Sequence, residues 1–134
     1  MAGYSKKALQ SKLGLKPGQI VIFINPPSDY STHLGALPEG IELKSELSGG
    51  FHFIQMFTKH KSELEDRLPF LKSSLVEKGM IWVSWPKKAS GVETDLTEDV
   101  IRELAIKNGL VDVKVCAINE VWSGLKLVLR KTPA

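Results

Sequence analysis

Cysteine is nearly absent from this sequence, and its scarcity excludes two kinds of site. The 134 residues include a single cysteine, Cys116, which excludes an internal disulfide and any metal site built from several cysteine ligands. So little cysteine is typical of a protein in a reducing compartment. Cys116 lies in the apolar stretch from Val113 to Ile118, and this setting predicts an inert, buried thiol.

Long hydrophobic runs are also missing. No apolar stretch reaches the length of about 20 residues that a membrane-spanning helix needs. The first residues, Met1 to Lys7, are followed by no long apolar segment, so we expect no signal peptide. These observations lead us to expect a cytoplasmic protein with no membrane partner.

The sequence shows no strong excess of charge of either sign. It has 18 Lys and Arg against 15 Asp and Glu, a net charge of +3, and the two signs are interleaved. This balance permits an anionic partner but gives no strong indication of nucleic-acid binding. The histidines, His33, His52 and His60, lack the spacing of a metal-binding helix, so we expect no metal site.

The most informative stretch that is present runs from Gly79 to Gly91. Its apolar segment, Met80 to Trp85, is short, rich in aromatic and β-branched residues, and followed by Pro86. These features predict a buried central strand. In an open α/β sheet, the residues after such a strand lie in the crevice where these folds bind ligands.

Helix-like and strand-like segments alternate along the chain, which at this length predicts one domain over residues 1–134. Helices are predicted from Ser5 to Leu13, from a capping box at Ser62–Glu65 through Leu75, and from an N-cap at Asp95 to Gly109. Strands are predicted over 19–25, 41–47, 51–57, 80–85, 111–118 and 125–130. In 41–47 the residues Ile41, Leu43, Ser45 and Leu47 alternate with the charged Glu42, Lys44 and Glu46, which predicts an edge strand with one inward and one solvated face. The succession predicts a three-layer α/β fold whose mainly parallel sheet ends in an antiparallel hairpin.

Several segments resemble a shortened class I methyltransferase fold, a Rossmann-like fold that binds S-adenosylmethionine. They are the turn Leu15–Gly18 before an apolar strand, the pair Lys78-Gly79 before Met80–Val83, and the closing hairpin. The resemblance implies the strand order 41–47, 19–25, 51–57, 80–85, 125–130, 111–118.

Other segments are similar to a small bacterial family of stand-alone domains of unknown function. The similar segments are 85–91, 94–99, 109–117 and 121–125. The resemblance covers nearly the whole chain and implies no known activity.

The methyltransferase resemblance implies a glycine-rich loop after the first strand, where the cofactor approaches the backbone. This sequence has Asn25-Pro26-Pro27-Ser28 there, and the prolines remove two backbone donors while their side chains obstruct the approach. We therefore expect no bound cofactor. Glu46, near the end of the second strand, stands where the resemblance implies a ribose-binding acid, although a glutamate on an edge strand also fits a solvated face.

Polar residues near the carboxyl ends of the strands form a candidate anion-binding site. Lys87 and Lys88 follow the central strand and would hold a phosphate or carboxylate together with the backbone donors of the next helix. The other candidates for ligand binding are Asn25, Ser28, Thr58, Ser90 and Thr94. In an alternative interpretation, the two lysines pair with the acids of that helix, Asp95, Glu98 and Asp99.

The connection 119–124 provides a candidate partner surface, formed by Glu120 and Trp122. Trp82 and Trp85 are expected in the core, whereas Trp122 would lean over the sheet edge or a partner. Glu120 is also a candidate general base, although the sequence places no proton donor near it. An edge strand on either side would allow two copies to pair as a homodimer.

We expect a binding or regulatory module that catalyses no reaction, with a small anionic ligand or a protein as its partner. The alternative is an enzyme, either a divergent S-adenosylmethionine-dependent methyltransferase or one acting on a small anionic substrate. A pocket where Asn25, Thr58 and Lys87 converge would favour the enzyme. A crevice filled by Pro26-Pro27 and Trp85 would favour the module, particularly with an exposed apolar patch elsewhere.

Overall fold

The computed structural model describes residues 8–131, and its centre is a six-stranded sheet. The elements are α1 (Leu9–Leu13), β1 (Ile20–Ile24), α2 (Tyr30–Leu34), β2 (Glu42–Lys44), β3 (Phe51–Phe57), α3 (Lys61–Ser73), β4 (Leu75–Pro86), a short 3-10 helix (Lys88–Ser90), α4 (Glu98–Lys107), β5 (Leu110–Ala117) and β6 (Trp122–Leu129). The strands lie in the order β2-β1-β3-β4-β6-β5, which confirms the predicted order.

β4 is the strand at which the sheet changes from parallel to antiparallel pairing. It runs parallel to β3, with Ile81 opposite Ile54, and antiparallel to β6, with Val83 opposite Leu125. β1 is parallel to both β2 and β3, and β5 is antiparallel to β6. The carboxyl ends of β1 to β5 therefore lie along one edge of the sheet.

Helices cover both faces of the sheet and close two apolar cores. On one face α3 and α4 bury Leu64, Leu68, Leu71, Ile101, Leu104 and Ala105 against the sheet. On the other face α1 and α2 bury Leu13, Tyr30 and Leu34 against β1, β3 and β4. Each fully buried large apolar side chain contributes about 1.5–3 kcal/mol, so these two layers stabilise the sheet that carries the loops.

Trp82 connects α1 to the middle of the sheet. Its ring is fully buried, and its Nε1–H donates a 2.8 Å hydrogen bond to the Leu13 carbonyl. α1 ends at Gly14, as predicted, with a φ of 88°. The cap predicted at Ser5 lies outside the described residues. Trp85 is also buried, which agrees with the core position predicted for it.

α3 begins one residue before Ser62, so the predicted capping box is wrong. Its cap residue is His60, which makes no capping hydrogen bond with its side chain. Asp95, distant in sequence, instead accepts a 2.8 Å hydrogen bond from the Lys61 N–H. The helix ends at Ser73, and Leu75, predicted in the helix, is the first residue of β4.

α4 is capped by Thr97, and the predicted cap at Asp95 is wrong. The Thr97 hydroxyl oxygen accepts a 3.1 Å hydrogen bond from the Val100 N–H. The Asp95 carboxylate instead accepts the hydrogen bond of the first amide of α3. α4 ends at Lys107, just before Gly109.

β2 is shorter than predicted, and its side chains face other directions. Only Glu42–Lys44 is a strand, and Leu43, predicted to face inward, is 56% exposed. The half-buried Lys44 places its Nζ 5.7 Å from the centroid of the Phe51 ring. This cation–π contact explains why the lysine takes the inward position.

No described helix has the length and apolar character needed to cross a membrane.

Candidate functional site

A cleft of about 640 Å³ lies at the carboxyl ends of β1 and β2. It is bounded by Phe23 at its base, the loop 26–28, residues 43–45 in and after β2, and three residues of α2, namely Tyr30, Ser31 and Leu34. We call it the β1/β2 cleft. This position is the crevice in which open α/β sheets bind their ligands.

The loop sequence after β1 explains why the cleft exists. Asn25 has a φ of 57°, a left-handed conformation that asparagine tolerates better than most residues. The prolines at 26 and 27 disfavour a helix directly after β1, and the next helix starts only at Tyr30. The Tyr30 N–H donates a 3.0 Å hydrogen bond to the Pro27 carbonyl. α2 is five residues long and ends before Gly35. So short a helix leaves the space beside β2 open.

A chain of buried polar groups lies beneath the cleft. The Tyr30 hydroxyl donates a 2.6 Å hydrogen bond to Gln55 Oε1, and Gln55 Nε2 donates to Ser84 Oγ at 3.0 Å. The three residues are 2%, 0% and 0% exposed. Burial raises the pKa of Tyr30, and the hydrogen bond to Gln55 offsets only part of that effect. The phenol is therefore held as a neutral hydrogen-bond donor.

Lys44 is the one charged residue among those that line the cleft, but its side chain lies on the opposite face of the sheet. It pairs with Ile22, whose side chain is in the core under α3 and α4, and its Nζ lies over the Phe51 ring of the same core. Its Nζ donates a 2.9 Å hydrogen bond to the Ser48 carbonyl. Within residues 8–131, all ion pairs are formed by Arg102, so Lys44 has no carboxylate partner there. The lining contains no carboxylate, histidine or thiol.

Asn25 and Thr58 both donate hydrogen bonds to the carboxylate of Glu63. Asn25 Nδ2 donates to Glu63 Oε2 at 3.2 Å, and Thr58 Oγ1 donates to Glu63 Oε1 at 2.5 Å. Thr58 is only 3% exposed. The Glu63 carboxylate thus joins the ends of β1 and β3 to the first turn of α3. The pocket in which Asn25, Thr58 and Lys87 converge, the arrangement that would favour an enzyme, is not formed in the described structure.

Lys87 lies instead in a second cavity, of about 620 Å³, beside the loop between β5 and β6. Asp29, His33 and Glu120 also line this cavity. A ring nitrogen of His33, Nε2, is 3.0 Å from the Ile118 carbonyl oxygen, and the Lys87 N–H donates to the Val121 carbonyl at 2.8 Å. Backbone contacts therefore fix both sides of this cavity.

Ser90 and Thr94, two of the candidate ligand-binding residues, are engaged within the protein. The Ser90 hydroxyl donates to the Lys87 carbonyl at 2.7 Å. The Thr94 hydroxyl donates to the Lys59 carbonyl at 2.7 Å and accepts from the Leu96 N–H at 3.1 Å. These contacts give both side chains a role in shaping the loop before α4.

The ion pairs between the two lysines and α4 are not present in the described structure. Lys88 is exposed at the start of the 3-10 helix. Glu98 and Asp99 instead form salt bridges with Arg102, the latter at 2.7 Å. The hydrogen bond to Asp112 is the largest cause of the raised pKa of Arg102, and the hydrogen bond to Glu98 is the next. α4 thus pairs its first-turn acids within itself.

The candidate partner surface contains one exposed and one half-buried residue. Glu120 is exposed at the rim of the second cavity. Trp122 is half-buried, with its ring edge-on to Phe57 at 5.2 Å between centroids. Trp122 therefore packs on the core rather than extending over the sheet edge. Cys116 is buried as expected, and burial raises the pKa of its thiol.

Of the candidate residues, only Ser28 lines the β1/β2 cleft. Sequence reasoning missed Tyr30, which lines the cleft, and Gln55, which lies beneath it. Gln55 carried a usable signal, because a lone amide in the otherwise apolar strand Phe51–Phe57 needs a buried partner. Across residues 8–131, no group of three or more His, Cys, Asp or Glu is arranged to hold a metal ion.

Solved structures of methyltransferases share this fold. Magnesium protoporphyrin IX methyltransferase (ChlM) from Synechocystis PCC 6803, with bound SAM, has a TM-score of 0.60 and 14% identity, covering 90% of this chain and 74% of that chain. Ribosomal protein L11 methylase from Lactobacillus delbrueckii subsp. bulgaricus has a TM-score of 0.61 and 17% identity, and the match covers 92% of this chain and 76% of that chain. A DhpI–SAH complex has a TM-score of 0.65 and 10% identity, and the match covers 93% of this chain and 83% of that chain. The chain thus has a Rossmann-like, methyltransferase-type fold.

The chain belongs to a family of proteins of unknown function (DUF3052), whose model matches residues 52–131. No match is found among curated proteins. The matched segment starts in β3, so the residues that line the β1/β2 cleft all precede it. Family membership therefore does not bear on what the cleft binds.

Proposed function

We propose that this protein is a binding module that catalyses no reaction and takes a small molecule in the β1/β2 cleft. The observation that carries the proposal is the cleft itself, with a volume of about 640 Å³ and a mainly apolar lining. Small-molecule sites fall in the same range of about 300–1,000 Å³ and have the same mixture of apolar walls with a few polar groups.

The loop after β1 supports a ligand other than a methyl-donor cofactor. Pro26 and Pro27 lack the N–H groups that a glycine-rich loop would offer. The amide of Asn25, which comes next to them, donates to Glu63 and to the Phe57 carbonyl instead of facing the cleft. Glu46 is exposed and does not line the cleft, so no acid stands ready to bind a ribose.

The side chains of the lining also support a role without catalysis. Tyr30 is the one titratable side chain that faces the cleft from its described lining, and it is a buried donor with a raised pKa. A phenol held in this way does not act as a base near neutral pH. A general base within hydrogen-bonding reach of a ligand is therefore missing from the lining.

Thermal melting of the full chain with a panel of ligands tests the proposal. The panel contains S-adenosylmethionine, S-adenosylhomocysteine, and small aromatic and aliphatic acids. A ligand at a hundred times its Kd stabilises the folded state by about 2.7 kcal/mol, so binding is seen as a higher melting temperature. We expect shifts only with members other than the two adenosyl compounds, and we expect Ser31→Trp, which fills the cleft, to abolish them. A panel without any shift would contradict the proposal.

A divergent S-adenosylmethionine-dependent methyltransferase is the second candidate. It is favoured by the location of the cleft, since the class I resemblance implies a cofactor site after the first strand. The SAM and SAH bound in the ChlM and DhpI structures make these two compounds the ligands to test. Calorimetric titration with S-adenosylhomocysteine decides between the candidates. Saturable binding that Ser31→Trp removes would support the transferase and overturn the non-catalytic module.

A further inference from the structure

The outer edge of β5 is a second place at which this protein presents an interaction surface. We propose that β5 binds an extended acidic segment of another protein as an additional strand, with acidic side chains towards Lys114 and apolar side chains towards Val115. β5 lies at the end of the sheet opposite β2, so this inference does not depend on what the β1/β2 cleft binds.

β5 has a neighbouring strand on one side only. It is the last strand of the sheet, and its strand partner within residues 8–131 is β6. From Lys114 to Ala117 it pairs with β6 without a shift of register, whereas Val113 is the extra residue of a bulge. Backbone N–H and C=O groups on the free side of this regular segment are available to an incoming strand.

Two lysines lie side by side on the α1 face of β5 and β6. Lys126 is opposite Trp82, whose ring is in the core under α1, and Lys114 is opposite Lys126 on the same face. The Lys114 Nζ donates a 3.2 Å hydrogen bond to the carbonyl of Lys12 in α1. Like charges directly opposite each other on neighbouring strands are destabilising. An acidic side chain on the free side of Lys114 would relieve this repulsion.

The described residues provide no carboxylate that pairs with these lysines, because every ion pair among them is formed by Arg102. Asp112, the acid on β5, binds Arg102 of α4 at 3.1 Å, on the other face of the sheet. Burial lowers the pKa of Lys126, and the charges of Lys114 and the exposed Lys16 lower it further. We call Lys16, Lys114 and Lys126 the lysine cluster. Since neighbouring strands lie about 4.8 Å apart, a carboxylate on an added strand would come close to Lys114.

Exposed valines supply the apolar part of the surface. Val115 is opposite Leu125, whose side chain is in the core under α3 and α4, so Val115 faces away from the lysine cluster. It is 49% exposed, and Val113 is 51% exposed. An apolar side chain beside Val115 would remove this surface from water, which favours binding. Because side chains alternate along a strand, the matching segment has acidic and apolar residues in alternation.

The lysine cluster also disfavours a second copy of this chain at the same edge. Two β5 edges that met would bring two such clusters together, and lysines on edge strands protect proteins against self-pairing in this way. A nucleic acid would satisfy the lysines through its phosphates but would leave the valines and the backbone edge unused. An acidic strand is the occupant that uses the charge, the valines and the backbone edge together.

Fluorescence anisotropy of labelled peptides with the full chain tests the inference. The main probe is Glu-Val-Glu-Val-Glu-Val-Glu. One control has the same composition with all glutamates before the valines, a second has lysine in place of each glutamate, and a third is the main probe methylated on every backbone nitrogen. We expect saturable binding of the main probe, at least about tenfold tighter than that of any control at low salt, and weaker binding at higher salt.

Reversal of the charge at Lys114 identifies the contact. Lys114→Glu should lose about tenfold in affinity for the main probe and should gain affinity for the lysine probe. A loss of folding would not produce this exchange of preference, and circular dichroism confirms that each variant is folded. Lys61→Glu is the matched control, because Lys61 is an exposed lysine at the start of α3, on the other face of the sheet. It makes the same change in net charge and should leave both affinities unchanged.

Four outcomes would each overturn the proposal. If the main probe does not bind, β5 is not a docking edge for an acidic strand. If the methylated probe binds as tightly as the main probe, the attraction is one of charge without strand addition. If an oligothymidylate binds through Lys114 while the peptides do not, the lysine cluster recognises nucleic acid. If the chain sediments as a dimer whose β5 amides are protected from hydrogen exchange, a second copy occupies the edge.

Discussion

The hydroxyl of Tyr30 donates a 2.6 Å hydrogen bond to Oε1 of Gln55, 25 residues further along the chain, and both side chains are buried. Gln55 Nε2 in turn donates a 3.0 Å hydrogen bond to Ser84 Oγ on β4. A helix of five residues is thereby fixed to the two central strands of the sheet. The position of one wall of the cleft depends on this bond.

We predict that Tyr30→Phe lowers the free energy of unfolding by about 1–3 kcal/mol, because Gln55 Oε1 would lose its partner inside the protein. Urea denaturation measures the change. The double variant Tyr30→Phe with Gln55→Leu is the control. Since it removes both polar partners, its cost should be smaller than the sum of the two single costs. A Tyr30→Phe variant as stable as the wild type would show that water replaces the bond.

The raised pKa of Tyr30 predicts a loss of stability at alkaline pH. The folded state holds the phenolic proton more tightly than the unfolded state, whose tyrosine titrates near 10.0. The folded state therefore binds more protons above that pH, and the free energy of unfolding falls as the pH rises further. Melting temperatures of the wild type and Tyr30→Phe, compared from about pH 8 to about pH 11, measure this effect. The wild type should lose more stability than the variant, and parallel curves would contradict the prediction.

Gly79 is predicted to tolerate no side chain. A Cβ atom there would lie 2.6 Å from the Phe51 carbonyl oxygen and 2.9 Å from Leu75 Cδ2. Because the nearest atom belongs to the backbone of β3, Gly79→Ala should cost about 1–3 kcal/mol or more, measured by urea denaturation. Gly91→Ala is the control, since its Cβ would meet nothing within 4 Å and only its φ of 78° is unfavourable. A Gly79→Ala variant as stable as the wild type would rule out a costly contact at this position.

Asp95 is predicted to stabilise α3, although it precedes α4 in the chain. Its carboxylate accepts the hydrogen bond of the Lys61 N–H, one of the amides that a helix start leaves unpaired. Asp95→Ala should therefore cost about 0.5–2 kcal/mol in thermal or urea unfolding. Asp95→Asn keeps an oxygen acceptor at the same place and should lose less than half as much. An asparagine variant as unstable as the alanine variant would indicate that the charge, not the hydrogen bond, matters.

The positions of the strands were predictable because local patterns define them. Apolar runs such as Ile20–Ile24 and Met80–Trp85 are bounded by glycine or proline, and this pattern locates a buried strand without long-range information. The resemblance to the methyltransferase fold then ordered the strands, and the structure confirms that order. The helix starts were not predictable in the same way, since the amide of Lys61 is satisfied by Asp95 from a distant loop.

The cleft was only partly predictable for the same reason. The loop with Pro26 and Ser28 was identified from its place after an apolar strand. Lys44 was predicted to lie on a solvated face, because no feature of the neighbouring sequence predicts its contact with the Phe51 ring. The partnership of Tyr30 with Gln55 spans 25 residues and has no periodic signature in the sequence.

The shortness of β2 has a consequence for how long the cleft keeps its shape. Three residue pairs join β2 to β1, at the edge of the sheet, whereas β3 at the base has neighbours on both sides. Edge segments with few hydrogen bonds open locally and often, while central strands open only with the whole protein. We therefore expect amide hydrogens of β2 to exchange with solvent faster than those of β3. A ligand in the cleft would then leave through local opening of this edge, without unfolding of the whole protein.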